Sequence, residues 1–112
     1  GMGQLIGRLG LFTLSELSLW KAKRRHFRVP DHFEGIVAGE AVHEGHFLHI
    51  LKDLRPGTTE VMMHPGTDNE KLIPACDWEH DFEAEMQAIV SPKVRRMIAD
   101  KAVKVVNYRD LK

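Results

Sequence analysis

The chain has one cysteine, no excess of either charge and no long apolar run, and each shortage removes a class of protein. Cys76 has no second cysteine to pair with, which excludes the internal disulfide framework that staples many small secreted domains. The 16 Lys and Arg residues cancel the 16 Asp and Glu residues. No overall field therefore draws the chain towards nucleic acid or an anionic membrane, and any partner must be met through a local site. No stretch approaches the roughly 18 apolar residues of a membrane span. The opening residues lack the charged start, apolar run and small-residue cleavage site of a secretory signal, so the expected location is a reducing cytoplasm. Internal repeats and low-complexity tracts are also lacking. Gly1 ahead of Met2 reads as a tag remnant. What remains is an ordinary globular composition, 43% hydrophobic and 29% charged over 112 residues, the size of a single domain spanning 1–112.

Periodicity and turn chemistry divide this domain into elements. Thr13-Leu14-Ser15-Glu16 has the form of a capping box, with Phe12 and Leu17 set as a hydrophobic staple. It predicts a helix starting there, with Leu14, Leu17 and Trp20 at helical spacing. Lys21, Lys23, Arg24 and Arg25 place cations where the helix dipole favours them, and the helix is expected to stop near Arg25. Val29, ahead of Pro30, is pushed out of helical geometry, and a short strand follows over 33–37. A second helix over 42–54 carries Phe47, Leu48, Leu51 and Leu54 on one face and ends at Arg55-Pro56-Gly57. Residues 58–64 form the best strand candidate, closed by Pro65-Gly66. Residues 67–76 read as a polar loop, and Asp77 as the cap of a helix carrying Trp78, Phe82, Met86 and Ile89. Ser91-Pro92 reads as the cap and first residue of a further helix, and 103–108 as a closing strand.

Strands separated by helices imply parallel pairing, so the expected class is α/β, a partial parallel sheet with flanking helices. Three strands cannot close a barrel of the usual eight, and a parallel sheet requires cover on both faces. A missing N-terminal half or another copy of the chain is expected to complete it.

Four segments, in order, carry a resemblance. Residues 55–66, Arg55-Pro56-Gly57 and then Thr58 through His64-Pro65-Gly66, are similar to the "PGxTELMxHPG" segment of the YdjC/ChbG family of carbohydrate deacetylases. Pro30-Asp31-His32-Phe33-Glu34-Gly35 resembles its "PDHFxG" segment, Ser91-Pro92-Lys93-Val94-Arg95 its "SPEVR" helix start, and 105–111 its closing strand with Tyr108-Arg109-Asp110-Leu111. The resemblance implies the C-terminal portion of a distorted (β/α) barrel enzyme that removes acetyl groups from N-acetylated sugars with a divalent metal, Mg or Zn. In that family an Asp-Asp pair and two histidine-bearing segments, one of the "DxHxHxH" kind, hold the ion, and none has a counterpart in this sequence. The resemblance thus implies no metal ligands in this chain and no activity of the chain alone, because without its ion such an enzyme lacks the activated water.

His64 is where pattern and resemblance meet. Ligands of parallel α/β sheets bind beyond the carboxyl ends of the strands, and His64 closes the strand over 58–64 at that end. In a complete enzyme a histidine there can act as general acid and protonate the leaving amine. The bland alternative is a histidine that hydrogen-bonds within the Pro65-Gly66 turn. Asp31 and His32 precede a strand, at the end of a barrel that usually serves stability, and are substrate-binding candidates only if their turn folds towards the mouth.

Other groups read more plainly. His43-Glu44-Gly45-His46 with His49 is spaced by three and not four, so it is not the HExxH zinc helix, and a solvated helix face is the default. The basic run from Lys21 to Arg28 fits a helix end better than a phosphate stripe. Two readings remain open: the C-terminal part of a sugar deacetylase, with an acetylated sugar as partner of the complete enzyme, and a non-catalytic α/β module that homodimerises through exposed sheet and helix surfaces.

Overall fold

The computed structural model describes residues 2–35 and 40–111, with backbone alone for 3–9, 11 and 12. The described residues form two compact units, one drawn from 2–29 with 106–111 and the other from the described residues of 30–105.

The first unit is built on α1, Met2–Arg24. The helix begins well before the predicted capping box. A Ser/Thr-x-x-Glu pattern can sit inside a helix when the residues ahead of it are helix formers, and Gln4, Leu5, Ile6, Arg8 and Leu9 outweigh the interspersed glycines. Phe12, half of the expected staple, lies outside the described side chains. The predicted end near Arg25 is observed. His26 takes a left-handed φ of 62°, the Phe27 N–H reaches the Ala22 carbonyl at 2.9 Å and the His26 N–H that of Lys23 at 3.0 Å. These two bonds make a Schellman closure with histidine where glycine is usual. Leu14, Leu17 and Trp20 are 64%, 47% and 54% exposed, so the expected apolar face is not buried. Arg24 instead lies over the Trp20 ring, 5.1 Å from its centroid. Residues 103–107 form no strand; a 3-10 turn, Tyr108–Asp110, follows with Asn107 and Asp110 in a capping box. β-branched residues favour a strand only where a neighbouring strand pairs with them, and Val105 stays 74% exposed.

In the second unit β1, His32–Glu34, pairs in parallel with β2, Thr59–Val61, in the register His32 with Thr59, Phe33 with Glu60 and Glu34 with Val61. The class is mixed α/β, with five helices and this two-stranded parallel sheet among the described residues. Residues 36 and 37 of the expected first strand lie outside the described residues. Helix α2, Glu44–Lys52, links the strands as expected, capped by His43, whose Nδ1 accepts the His46 N–H at 3.2 Å. Gly57, at φ 107°, makes the turn into β2 and packs against the Asp31 carboxylate, which accepts the Thr58 N–H at 2.8 Å.

The expected loop over 67–76 is a helix, α3, Asn69–Cys76. Asp68, hidden in a polar run, caps it by accepting the Lys71 N–H at 3.2 Å. Asp77 is not a cap of the next helix but the left-handed closing residue of α3, at φ 48°. Helix α4, Phe82–Val90, starts later, with Asp81 accepting the Ala84 N–H at 2.9 Å. Trp78 therefore precedes the helix. Ser91 caps α5, Pro92–Asp100, with proline in the first turn as predicted. Its Oγ accepts the Val94 N–H at 3.3 Å and donates to Glu44 Oε2 at 2.8 Å. Helices α2, α4 and α5 pack on one another around Val42, Ile50, Leu51, Phe82, Ala88 and Val94. At about 1.5–3 kcal/mol for each large buried side chain, this cluster is the main favourable term of the unit. No described helix is long and apolar enough to cross a membrane.

Candidate functional site

The site is assembled by a buried carboxylate. Glu85, in the first turn of α4 where the helix dipole favours negative charge, is 1% exposed. Its Oε1 accepts the Val42 N–H at 3.1 Å, and its Oε2 accepts the His64 N–H. One side chain thus joins the entry to α2, the exit from β2 and the start of α4. His64 itself is exposed, just beyond the C-terminal end of β2.

His80 comes to the same carboxylate from the bend before α4. It is 5% exposed, and its Nε2 lies 2.7 Å from Glu85 Oε1. That approach is close enough for an ion pair with a protonated ring, but it lacks the alignment of a hydrogen bond, and neither ring nitrogen has a hydrogen-bond partner. The alignment matters more than the separation, because an N–H that points past an acceptor gains little from it. Trp78 stacks on His80, with centroids 4.1 Å apart and planes at 21°, and meets His64 edge-on at 5.1 Å. His64 and His80 are themselves edge-to-face at 5.6 Å. Such ring pairs add about 0.5–1.5 kcal/mol each beyond area burial and hold the rings in orientation.

A second polar group locks the bend. The Asn69 side chain donates to Asp81 Oδ1 at 2.9 Å and accepts the Glu83 N–H at 3.1 Å, while Glu83 Oε1 accepts the Asn69 N–H at 3.0 Å. The first turns of α3 and α4 are thereby clamped together. The Asn69 amide, followed by the Ala84 N–H, holds the Asp81 carboxyl below its ordinary range; burial opposes them by less, and His80 adds a lowering effect smaller again.

Of the residues expected to matter, His64 lies in this cluster and Asp31 and His32 do not. Those two sit at the opposite end of the ladder, where Asp31 holds the Thr58 N–H and His32 Nε2 lies 3.0 Å from the Pro56 carbonyl. His43 is a helix cap, and His49 Nε2 lies 3.3 Å from Asp53 Oδ2 on the exposed face of α2. His80 and Glu85 were not anticipated. In one continuous helix from Asp77 they would lie some 140° apart, and only the break before Phe82 lets them meet. Among the described residues, His64, His80 and Glu85 can each offer one ligand atom such that all lie within 4.8 Å of one another, a donor set suited to a divalent ion.

The 30–105 unit is thus a mixed α/β protein unit with a histidine past the exit of a parallel strand, its backbone held by a buried glutamate. The chain belongs to the family described as YdjC-like protein, whose profile matches residues 4–100. A carbohydrate deacetylase of Thermoanaerobacter pseudethanolicus is 29% identical over 82 residues, which cover 73% of this chain and 33% of that protein. The chain thus spans about a third of the length of this curated relative. No solved structure matches.

Proposed function

We propose that this chain is the C-terminal part of a carbohydrate deacetylase, hydrolysing N-acetyl groups of sugars, and that His64 is its general acid. The supporting observation is the exposure of His64 past the C-terminal end of β2, with its backbone pinned by Glu85, in a chain of the YdjC-like family. The name and similarity of the Thermoanaerobacter relative support the substrate class. In amide hydrolysis the water oxygen bonds to the acetyl carbon, the C–N bond breaks, and the departing nitrogen needs a proton. The His64 imidazolium delivers it as general acid.

A divalent ion, when bound, supplies the activated water and polarises the acetyl carbonyl. The donor set of this chain contains His64, the group needed for proton transfer, so the reading places the catalytic ion on groups outside this chain. The chain alone is then inactive. Strands outside it, from an N-terminal half or a second copy, extend the two-stranded sheet into the distorted barrel that the resemblance implies.

The test compares acetate release from N-acetylglucosamine oligomers by this chain, by the protein including its upstream segment, and by the His64→Asn variant of the latter. The reading expects activity only in the longer parent, with turnover lost in His64→Asn while metal content is unchanged. Metal-dependent acetate release by the chain alone, or full turnover in His64→Asn, overturns it.

A further inference from the structure

We propose that His64, His80 and Glu85 form a binding site for a borderline transition-metal ion, Zn(II) above all, and that its occupancy takes His64 out of proton transfer. The metal site stands on geometry alone; only its inhibitory consequence rests on the reading of His64 given above.

The starting point is His80. A buried imidazole normally satisfies both nitrogens, and leaving a buried polar group unpartnered costs about 1–3 kcal/mol. His80 is 5% exposed and satisfies neither. An ion facing the ring removes that deficit. The neighbouring donors are of the right kind, since two imidazoles and a carboxylate match the three-ligand set of zinc sites that keep a fourth position for water. Imidazole also disfavours calcium and magnesium, which prefer all-oxygen shells.

The distances require a small closure. With metal–ligand bonds of about 2.0–2.2 Å, tetrahedral ligand atoms lie roughly 3.3–3.6 Å apart. The three donors lie within 4.8 Å of one another, while His80 Nε2 and Glu85 Oε1 are only 2.7 Å apart, so an ion has to part that pair slightly and draw His64 in, each by a movement on the order of 1 Å or less. His64 can supply its share. Glu85 is fixed by the Val42 and His64 N–H groups, and His80 by its stack on Trp78, whereas the exposed His64 ring is held only by edge contacts with Trp78 and His80 and has solvent on its other side into which it can turn. The Trp78 ring and the two backbone N–H groups act as the outer layer that orients ligands, a layer whose loss usually weakens binding by about 10–100-fold. A nitrogen lone pair of His64 engaged by the ion is not available to carry a proton, so zinc in excess of the catalytic ion is inhibitory.

The test uses the purified chain, titrated with Co(II) by visible absorption and with Zn(II) by competition against a chromophoric chelator. One equivalent with the absorption of tetrahedral cobalt is expected. His64→Ala, an exposed change that leaves the fold intact by circular dichroism, and His80→Ala should each weaken binding by at least about 10-fold. The double variant His46→Ala with His49→Ala, on the exposed face of α2, should bind as the parent does. Absence of saturable binding, or binding that survives His64→Ala and is lost in the α2 double variant, overturns the site. In the longer protein, zinc that binds at this site and leaves acetate release unchanged would uphold the site and overturn the catalytic part given to His64.

Discussion

Replacing Glu85 by alanine should come close to unfolding the 30–105 unit. Two backbone N–H groups, of Val42 and His64, lose the carboxylate that accepts them, and His80 loses the charge beside it. Hydrogen bonds to a charged group contribute about 1.5–3 kcal/mol each, and removing one member of a buried charged cluster costs about 3–5 kcal/mol. We take about 3–5 kcal/mol for Glu85→Ala. Glu85→Gln keeps one carbonyl acceptor but turns an amide N–H towards a second donor, and should cost about 1–3 kcal/mol. Against a total stability of about 5–15 kcal/mol for a domain, the alanine change is decisive and the glutamine change graded. Urea unfolding followed by Trp78 fluorescence, in a Trp20→Phe background so that the 30–105 unit reports alone, measures both. With a slope of about 1.5 kcal/mol per molar urea the midpoint should fall by about 2–3 M in Glu85→Ala. If both variants unfold within about 0.5 kcal/mol of the parent, the carboxylate does not organise the cluster and the reasoning fails.

Further predictions concern backbone and charge. Ala102 closes α5 at φ 52°, where an L side chain is strained, so Ala102→Gly should stabilise by about 1 kcal/mol, read as a raised midpoint in the same urea assay. Gly35, at φ 98°, presses its backbone on that of Met62 where β1 leaves the sheet, so Gly35→Ala should destabilise by well over 1 kcal/mol and loosen amide protection in β2. The Asp81 carboxyl is held below its ordinary value in the folded state. Its contribution to stability is therefore present above the unfolded value of about 3.9 and is lost as pH falls through the lower folded value. Thermal melts across acid pH should show a shallower loss below about pH 4 in Asp81→Asn than in the parent.

Much of the fold was legible because local chemistry and tertiary packing agree there. Ser91-Pro92 specified a cap and first turn that also faces the core, and residues 42–54 carried enough apolar periodicity to fix α2 within two residues at either end. The parallel pairing of β1 and β2 followed from the helix that separates the two strands in sequence. The misreadings share one cause, which is that two rules competed over the same residues. Asp77 and Asp81 both qualify as caps, and the one chosen by the structure is the one that Asn69, distant in sequence, can also bond. Asp68 was hidden in a polar run that looked like loop, and the apolar stretch 103–108 satisfies strand preference but finds no pairing partner among the described residues. The expected strand over 58–64 is observed only over Thr59–Val61, because β1 offers pairing partners no further than Glu34, so His64 lies past the strand and does not close it, although it stays on the side that the strand direction indicated. Its companions were not legible, because His80 and Glu85 meet only when the chain breaks between them.

The most direct measurement is the hydrogen exchange of the His64 backbone amide, observed by nuclear magnetic resonance in the parent and in Glu85→Gln. Although His64 is exposed and lies outside any strand, the bond to the buried carboxylate predicts a downfield amide proton protected nearly as well as those of α4, with both properties lost in the variant. An amide that exchanges in the parent as fast as an open loop, or that is indifferent to Glu85→Gln, would contradict the claim that Glu85 holds His64 in place.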